Sequence, residues 1–312
     1  MTLFAAIILL LLGFLAFVSA ILFVVGPQML LQPYRRTIDY YRRHDAVLHP
    51  RDAGLPCEEF SIVTPDGISL ACWFLPAPSP SRGTILYLHG VSESRIAGIP
   101  LAASLLHRGF NVCIFDARRH GESGGSFCTY GFYEKYDAQL VINYLVSRYG
   151  IDVKALGVFG NSMGAAVAIQ LAAIDSRVRT VVAEAGFATL RSVFDDYQKR
   201  IVKLPFHYLR NIVIRRSESI ARFKASMVSP LESVSSVRVP LLITHGTDDQ
   251  RIKMAYSKAV FARAHEPKEL YIIPNAHHHD MASVGGQEYL DTIGGFFEAH
   301  LPANSGEELP AG

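Results

Sequence analysis

The sequence predicts an α/β fold: a mostly parallel, doubly wound, eight-stranded sheet with an antiparallel start and a separate apolar N-terminal helix. Three observations predict it. Short apolar runs alternate with helical patterns from Glu58 to His300. The first two runs flank Thr64-Pro-Asp-Gly67, a hairpin turn signal that makes them an antiparallel pair. The run Leu156 to Phe159 leads into Gly160-Asn-Ser-Met-Gly164 and then the Ala-rich stretch Ala165 to Ala173, which reads as strand, tight turn and helix.

The elements follow in order. Leu3 to Val25 is almost unbroken Leu, Ile, Phe, Val and Ala, and no charged side chain precedes Arg35. As a helix it extends about 34 Å, enough to cross a bilayer. A cleaved signal peptide is the rival, but it needs a basic segment ahead of a shorter core, and here apolar residues continue past the one plausible cleavage site at Ser19-Ala20. Residues 1–33 are therefore expected to be a transmembrane anchor. Arg35, Arg36, Arg42 and Arg43 follow, opposed by Asp39 and Asp45, which by the positive-inside rule places the rest of the chain on the cytoplasmic side. Residues 34–56 read as a polar linker and 57–302 as the main domain. Strands are expected at Glu58–Val63, Ile68–Leu75, Thr84–Leu88, Asn111–Phe115, Leu156–Phe159, Val178–Ala183, Pro240–Thr244 and Leu270–Ile273. Helices are expected at Ile96–His107, Phe132–Tyr149, Ile252–Ala264 and Gln287–His300, and the small polar residues 303–312 read as a frayed tail.

Composition bounds the function. Half of the residues are apolar, and Lys+Arg 30 against Asp+Glu 28 gives a net charge of +2, which points away from nucleic acid. Mean hydropathy is +0.21, and part of that excess lies in the N-terminal run. Cys57, Cys72, Cys113 and Cys128 show neither a C-x-x-C nor a metal-ligand spacing. Cys72 and Cys113 read as buried small hydrophobes, while Cys57 and Cys72 flank the hairpin and could approach each other.

The G-x-S-x-G context gives Ser162 a chemical role. At the tip of a strained turn its hydroxyl faces a cleft, Gly160 and Gly164 leave room where strand and helix backbones nearly touch, and the helix N-terminus offers donors to an oxyanion. A serine needs a base, and the base an acid, expected in the order Ser, acid, His on loops at the carboxyl ends of strands. The loop His245-Gly-Thr-Asp-Asp-Gln-Arg-Ile252 offers Asp248 and Asp249, one of which can be a helix cap. The loop Pro274-Asn-Ala-His-His-His-Asp-Met281 offers His277, His278 and His279. Adjacent histidines do not easily converge on one metal ion, so a single catalytic imidazole explains the loop better.

At this point the sequence resembles the α/β-hydrolase superfamily, and within it the serine aminopeptidase-like and monoglyceride lipase-like hydrolases, from about Glu58 to His300. His89-Gly90 matches the family's H-G after the third strand, which implies that the N–H groups of Val91 and Met163 form the oxyanion hole. The family's H-G-x-x-D matches His245-Gly-Thr-Asp-Asp249 and selects Asp249. Its G-A-x-H-x-D-like pattern aligns with Asn275-Ala-His-His-His-Asp280 and selects His278. Asn275 replaces the first Gly, which leaves His277 in play. Asp116-Ala-Arg-Arg-His-Gly-Glu-Ser-Gly124 resembles D-x-R-G-x-G-x-S, a structural loop in the family, with Arg119 where Gly is preferred. Glu184, at the end of the next strand, is the alternative acid. The resemblance implies a serine hydrolase that cleaves carboxylic esters, including lipid esters or thioesters, through an acyl-enzyme on Ser162, with His278 and Asp249 completing the triad and no metal or organic cofactor required.

Residues 188–237 interrupt the strand–helix alternation and read as a helical cap. Arg191, Lys199, Arg200, Lys203, Arg210, Arg215, Arg216, Arg222 and Lys224 outnumber Asp195, Asp196 and Glu218 there, with aromatic and aliphatic residues interleaved. A solvated charged face is one reading. A cap resting on anionic lipid is the other. Two further functions stay open: a peptidase or amidase, which needs acidic groups for a substrate amine, and a non-catalytic membrane-bound interaction module, which a complete Ser162, Asp249 and His278 set argues against.

Overall fold

The computed structural model describes residues 3–44, 46–199 and 207–302. The expectations for Arg200, Lys203 and the tail 303–312 lie outside the described residues.

Eight strands form one sheet in the order β1-β2-β4-β3-β5-β6-β7-β8. They are β1 (Glu58–Val63), β2 (Ser69–Leu75), β3 (Gly83–Leu88), β4 (Phe110–Phe115), β5 (Leu156–Asn161), β6 (Thr180–Glu184), β7 (Leu241–Gly246) and β8 (Lys268–Ile273). β2 runs antiparallel to both β1 and β4, and every other neighbouring pair is parallel. Such strands are apolar on both faces because helices cover both.

The helices are α1 (Leu3–Ala20), α2 (Gly26–Leu31), α3 (Ile38–Arg42), α4 (Ile99–His107), α5 (Glu134–Tyr149), α6 (Met163–Ala172), α7 (Leu190–Tyr197), α8 (His207–Ala221), α9 (Pro230–Ser233), α10 (Met254–Arg263) and α11 (Met281–His300). On one face Ile99 and Leu105 of α4 and Ile293 and Phe297 of α11 pack against Ile85, Tyr87 and Phe159. On the other, Val141 and Leu145 of α5, Val167 and Leu171 of α6 and Val260 of α10 pack against Leu86, Leu88 and Val158. The alternation of Leu86 and Leu88 with Ile85 and Tyr87 is the two-residue period of a strand. α11 begins earlier than its periodicity suggested, but Gly286 (φ 55°) breaks its regular backbone, so the regular helix starts at the expected Gln287.

β4 and β5 flank β3 on opposite sides, so the chain reverses direction across the sheet at β3. A crevice opens at the carboxyl ends of strands at such a switch point. Here it lies between the loop after β3 and the turn after β5. Both glycines of that turn are required by close approach. A Cβ on Gly160 would lie 2.2 Å from the Gly164 carbonyl oxygen, and one on Gly164 would lie 2.0 Å from the Leu88 carbonyl oxygen.

A π-helical turn, Ile21–Val25, joins α1 to α2, so one helical run, Leu3–Leu31, is long and apolar enough to cross a membrane. Its most apolar window has no buried residue, yet its C-terminal part packs on the domain. α8 lies along the π turn and α2, and a Cβ on Gly26 would stand 2.9 Å from Val213 Cγ2. The Leu30 carbonyl accepts from Tyr130 Oη at 2.7 Å and the Leu31 carbonyl from Cys128 N–H at 2.8 Å.

The stretch 34–56, expected to be a linker, is instead built into the domain. The Arg35 guanidinium donates to the carbonyls of Gly121 (2.6 Å) and Ser123 (2.5 Å), and buried Tyr41 Oη accepts from Ser94 N–H at 2.8 Å. These contacts give polar residues long-range partners that local sequence does not show. Cys57 and Cys72 do not pair: all four cysteines are free and buried.

The Asp116–Gly124 loop is held by buried charge. Asp116 accepts from Arg95 N–H (2.7 Å), Arg95 Nη1 (2.5 Å) and Glu122 N–H (2.8 Å). Arg118 makes a two-pronged pair with Asp137, at 2.7 Å for each bond, with both side chains buried. Arg119, where glycine is the family preference, adopts φ 69°, and that left-handed backbone is the physical reason for the preference.

Two measurements test this packing. Asp137→Ala leaves the buried Arg118 guanidinium with Asp66, a half-exposed carboxylate 3.0 Å from its Nη1, as its ion-pair partner and lowers the urea unfolding free energy by about 2–3 kcal/mol, whereas Glu232→Ala, which removes the exposed partner of Arg263, changes it by less than about 1 kcal/mol. Gly164→Ala forces a methyl group onto backbone atoms and destabilises by roughly 3 kcal/mol or more, visible as lost soluble expression or a lowered melting temperature.

Candidate active site

Ser162 stands between the end of β5 and the start of α6 with φ 53° and ψ −107°, a strained conformation for a residue with a side chain. Its N–H donates to the Glu184 carbonyl at 2.7 Å. Ser162 is buried, and its Oγ lies 2.9 Å from His278 Nε2. His278 Nδ1 lies 2.7 Å from Asp249 Oδ2, and the Asp249 side chain is fully buried. A carboxylate can only accept, so Nδ1 carries the proton and Nε2 is left to accept from the serine hydroxyl. β5, β7 and β8 thus bring together, through the loops at their carboxyl ends, three residues that lie far apart in the chain.

The Asp249 carboxylate is heavily bonded. Its Oδ1 accepts from the N–H groups of Arg251 (2.8 Å) and Ile252 (2.9 Å). Its Oδ2 also lies 3.3 Å from His245 Nε2. His245 Nε2 faces the Ile252 carbonyl at 3.0 Å as well, so that nitrogen is the donor, and Nδ1 accepts from Ser257 Oγ at 2.8 Å. Burial opposes ionisation of Asp249, but the bonds from His245, His278 and Ile252 outweigh it and hold the carboxyl well below the usual range.

The other candidates fall elsewhere. Asp248 is exposed and accepts from Thr247 Oγ1 at 2.9 Å. His277 is exposed, its Nδ1 2.9 Å from the Asp248 carbonyl, while Asn275 takes φ 62°, a left-handed position that Asn tolerates best after Gly. Of the histidines in this loop it is His278 that stands beside both Ser162 and Asp249. Glu184 does not contact His278 directly. Its buried carboxylate accepts from Asn161 Nδ2 (2.7 Å) and from Tyr289 Oη, and burial raises its pKa. It braces the turn from below. The N–H groups of Val91 and Met163 make no hydrogen bond to another described residue. Val91 lines the cleft, and the Met163 side chain points down, its Sδ 3.5 Å from Cys128 Sγ.

The cleft over Ser162 has a volume of about 230 Å³. Wider depressions of about 710 and 830 Å³ lie elsewhere on the surface, away from Ser162 and His278. Several residues at the cleft carry no sequence signal for that place: Tyr34 and Arg36 from the stretch 34–56, Glu93 from the loop after β3, and Arg251 from the loop that carries Asp249; His279, a candidate with its two neighbours, lines the cleft as well. Glu93 Oε2 accepts from Gly90 N–H at 3.0 Å, which fixes it beside Val91. The tandem arginines 35 and 36 carry a topology signal in the sequence, and nothing local distinguishes that role from a place in a cleft.

Residues 79–225 match the serine aminopeptidase (S33) family. The chain is 29% identical to the Bacillus subtilis protein YqkD over 71% of its own length and 73% of the relative's. It is 29% identical to the Escherichia coli protein YfhR, covering 84% and 87% of the two chains. It is also 25% identical to α/β hydrolase domain-containing protein 17B of Xenopus tropicalis, over 78% and 76%. Among solved structures it superposes on the Pyrococcus furiosus esterase Pf2001 with a TM-score of 0.70 and 26% identity, covering 87% of this chain and 98% of that one. A structure of DcsB with its substrate analogue gives a TM-score of 0.64 at 19% identity, covering 78% and 100%, a likeness of fold alone. A parallel sheet with an antiparallel start, the strand–turn–helix at its centre and these likenesses agree that the chain belongs to the α/β-hydrolase superfamily, among its serine-hydrolase-type members.

Proposed function

We propose that this protein is a membrane-anchored serine hydrolase that cleaves carboxylic esters through an acyl-enzyme on Ser162. The observation that carries the reading is the hydrogen-bonded line from Ser162 Oγ through His278 to Asp249, at 2.9 and 2.7 Å. His278 Nε2 takes the serine proton as Oγ attacks the acyl carbonyl. The carbonyl π electrons move to oxygen, and the free N–H groups of Val91 and Met163 stabilise that oxyanion. Asp249 holds the tautomer and balances the imidazolium. When the oxyanion collapses, His278 returns the proton to the leaving alcohol or thiol. Water, deprotonated by the same imidazole, then releases the acid and restores Ser162.

The cleft gives a peptidase reading less support. Glu93 is the acidic side chain lining it, and Glu93 already faces Arg36 and holds the Gly90 N–H. An interaction module has no use for a strained serine in line with a histidine.

The apolar run Leu3–Ala20 supports an anchor, because none of its residues is buried against the domain. The arginines after it support a cytoplasmic catalytic domain. Residues 188–237 act as the cap. α8 lies against the end of the apolar helix, with Arg215 and Arg216 exposed, so the cap rests on the headgroup layer.

Three measurements test the proposal. Wild type labels with a fluorophosphonate and hydrolyses p-nitrophenyl esters, while Ser162→Ala loses labelling and at least about 10⁴-fold in kcat/KM with the fold intact. No labelling of folded wild type would bring the interaction module forward. Asp249→Asn lowers kcat by about 10³-fold or more with little change in KM; near-normal kcat would remove Asp249 from the relay. A chain beginning at Gly26 floats with anionic vesicles at low ionic strength and is released near about 1 M salt, where the Debye length is about 3 Å; salt-insensitive or absent binding excludes the cap–lipid contact.

A further inference from the structure

The segment joining the apolar helix to the domain reaches the active-site mouth. Arg35 is clamped to the Gly121 and Ser123 carbonyls, and this places the neighbouring Tyr34 and Arg36 in the wall of the cleft over Ser162. The Arg36 guanidinium lies over the Tyr40 ring at 4.6 Å. Its Nη1 is 3.7 Å from Glu93 Oε1, longer than a hydrogen bond, so its donors are not saturated by that carboxylate. Arg251 lines the same cleft. Its N–H is bonded to Asp249, and its side chain makes no ion pair with a described residue. His279 stands near both, with Nδ1 3.8 Å from Glu93 Oε1.

We propose that Arg36 and Arg251 form a recognition site at the cleft mouth for an anionic group, a phosphate monoester or a carboxylate, carried by the ester substrate. The inference rests on the ester-hydrolase reading above. Its argument is geometric and electrostatic. Guanidinium forks match carboxylate and phosphate oxygens in paired hydrogen bonds. Two guanidiniums oppose one carboxylate at the mouth, so an anion is favoured there over an ammonium. Glu93 is held by the Gly90 N–H at 3.0 Å, so Arg36 can turn to a ligand without drawing it along. At about 230 Å³ the cleft is below the roughly 300–1,000 Å³ that encloses a drug-sized ligand, so a substrate extends past the mouth, where these side chains stand. Burial, His278, Arg251 and Arg36 together lower the pKa of His279 against the opposing pull of Glu93, so both guanidiniums act on one spot.

The test uses the full chain in detergent micelles and two matched substrate pairs. One pair is p-nitrophenyl hexanoate and the p-nitrophenyl monoester of adipic acid, which differ by a carboxylate on the acyl side. The other is a 1-acylglycerol and its 3-phosphate, which differ by a phosphate on the alcohol side. For wild type, kcat/KM of the charged member exceeds that of the neutral one in at least one pair, and that pair tells which side of the ester carries the anion. Arg36→Gln lowers this charged-to-neutral ratio by about tenfold, through KM, and Arg36→Lys restores part of it. Arg251→Gln lowers it in the same direction and guards against a folding defect in the first variant. Ser162-dependent hydrolysis of neutral esters with no charge preference, or with a preference that both glutamine variants leave unchanged, overturns the recognition site alone. Absence of ester hydrolysis and of fluorophosphonate labelling in wild type overturns the hydrolase reading and this inference with it.

Discussion

The contact of α6 with the end of β3, glycine against carbonyl, is the constraint from which the site follows. Gly164 has no room for a side chain beside the Leu88 carbonyl, nor Gly160 beside Gly164. Three backbones meet there, and the residue between the two glycines can only turn sharply. Ser162 carries that turn at φ 53°, a strain on the order of 1–3 kcal/mol that the surroundings must over-determine. They do so through a buried acid. Glu184 takes the Ser162 N–H on its carbonyl, while its carboxylate takes Asn161 and Tyr289. The position of Ser162 thereby depends on β6 and on α11, elements that do not line the cleft.

The second organising interaction is the sharing of Asp249 by two imidazoles. His245 and His278 both approach Oδ2, at 3.3 and 2.7 Å, but their other nitrogens differ in surroundings. His245 is closed off by Ser257 and the Ile252 carbonyl, so it serves as a strut. His278 has its second nitrogen on a hydroxyl that opens to the cleft. Chemically similar side chains are set apart by what stands on their far side.

Much of this was legible in the chain. The strand order of apolar runs, the turn at Asp-Gly, and the small residues around Ser162 are local signals, and local physics determines what they become. Departures from the family pattern were legible too. Arg119 and Asn275 replace glycines and still take left-handed backbones, so the loops keep their register. What was not legible depends on long-range partners. Arg35 finds carbonyls far along the chain, and Tyr41 finds the Ser94 N–H, so the presumed linker became a wall. The expected helix Gln287–His300 is the regular part of α11, and a short helical turn from Met281 precedes it across the kink at Gly286. The even cysteine count likewise carried no structural meaning, since each thiol is simply buried.

The built-in wall changes what an anchor does. A floppy tether would let the catalytic domain roam a hemisphere above the bilayer, and its encounter with lipid would be set by linker length. Here Leu31 and Arg35 are both fastened to the body of the protein, and α8 braces the helix from the side. On the proposed reading the height and tilt of Ser162 over the membrane are thus a matter of rigid geometry. The search for substrate is then two-dimensional diffusion at a fixed altitude, and inserting or deleting one or two residues in the helix would swing the mouth to a different bearing, because each residue turns a helix by about 100°.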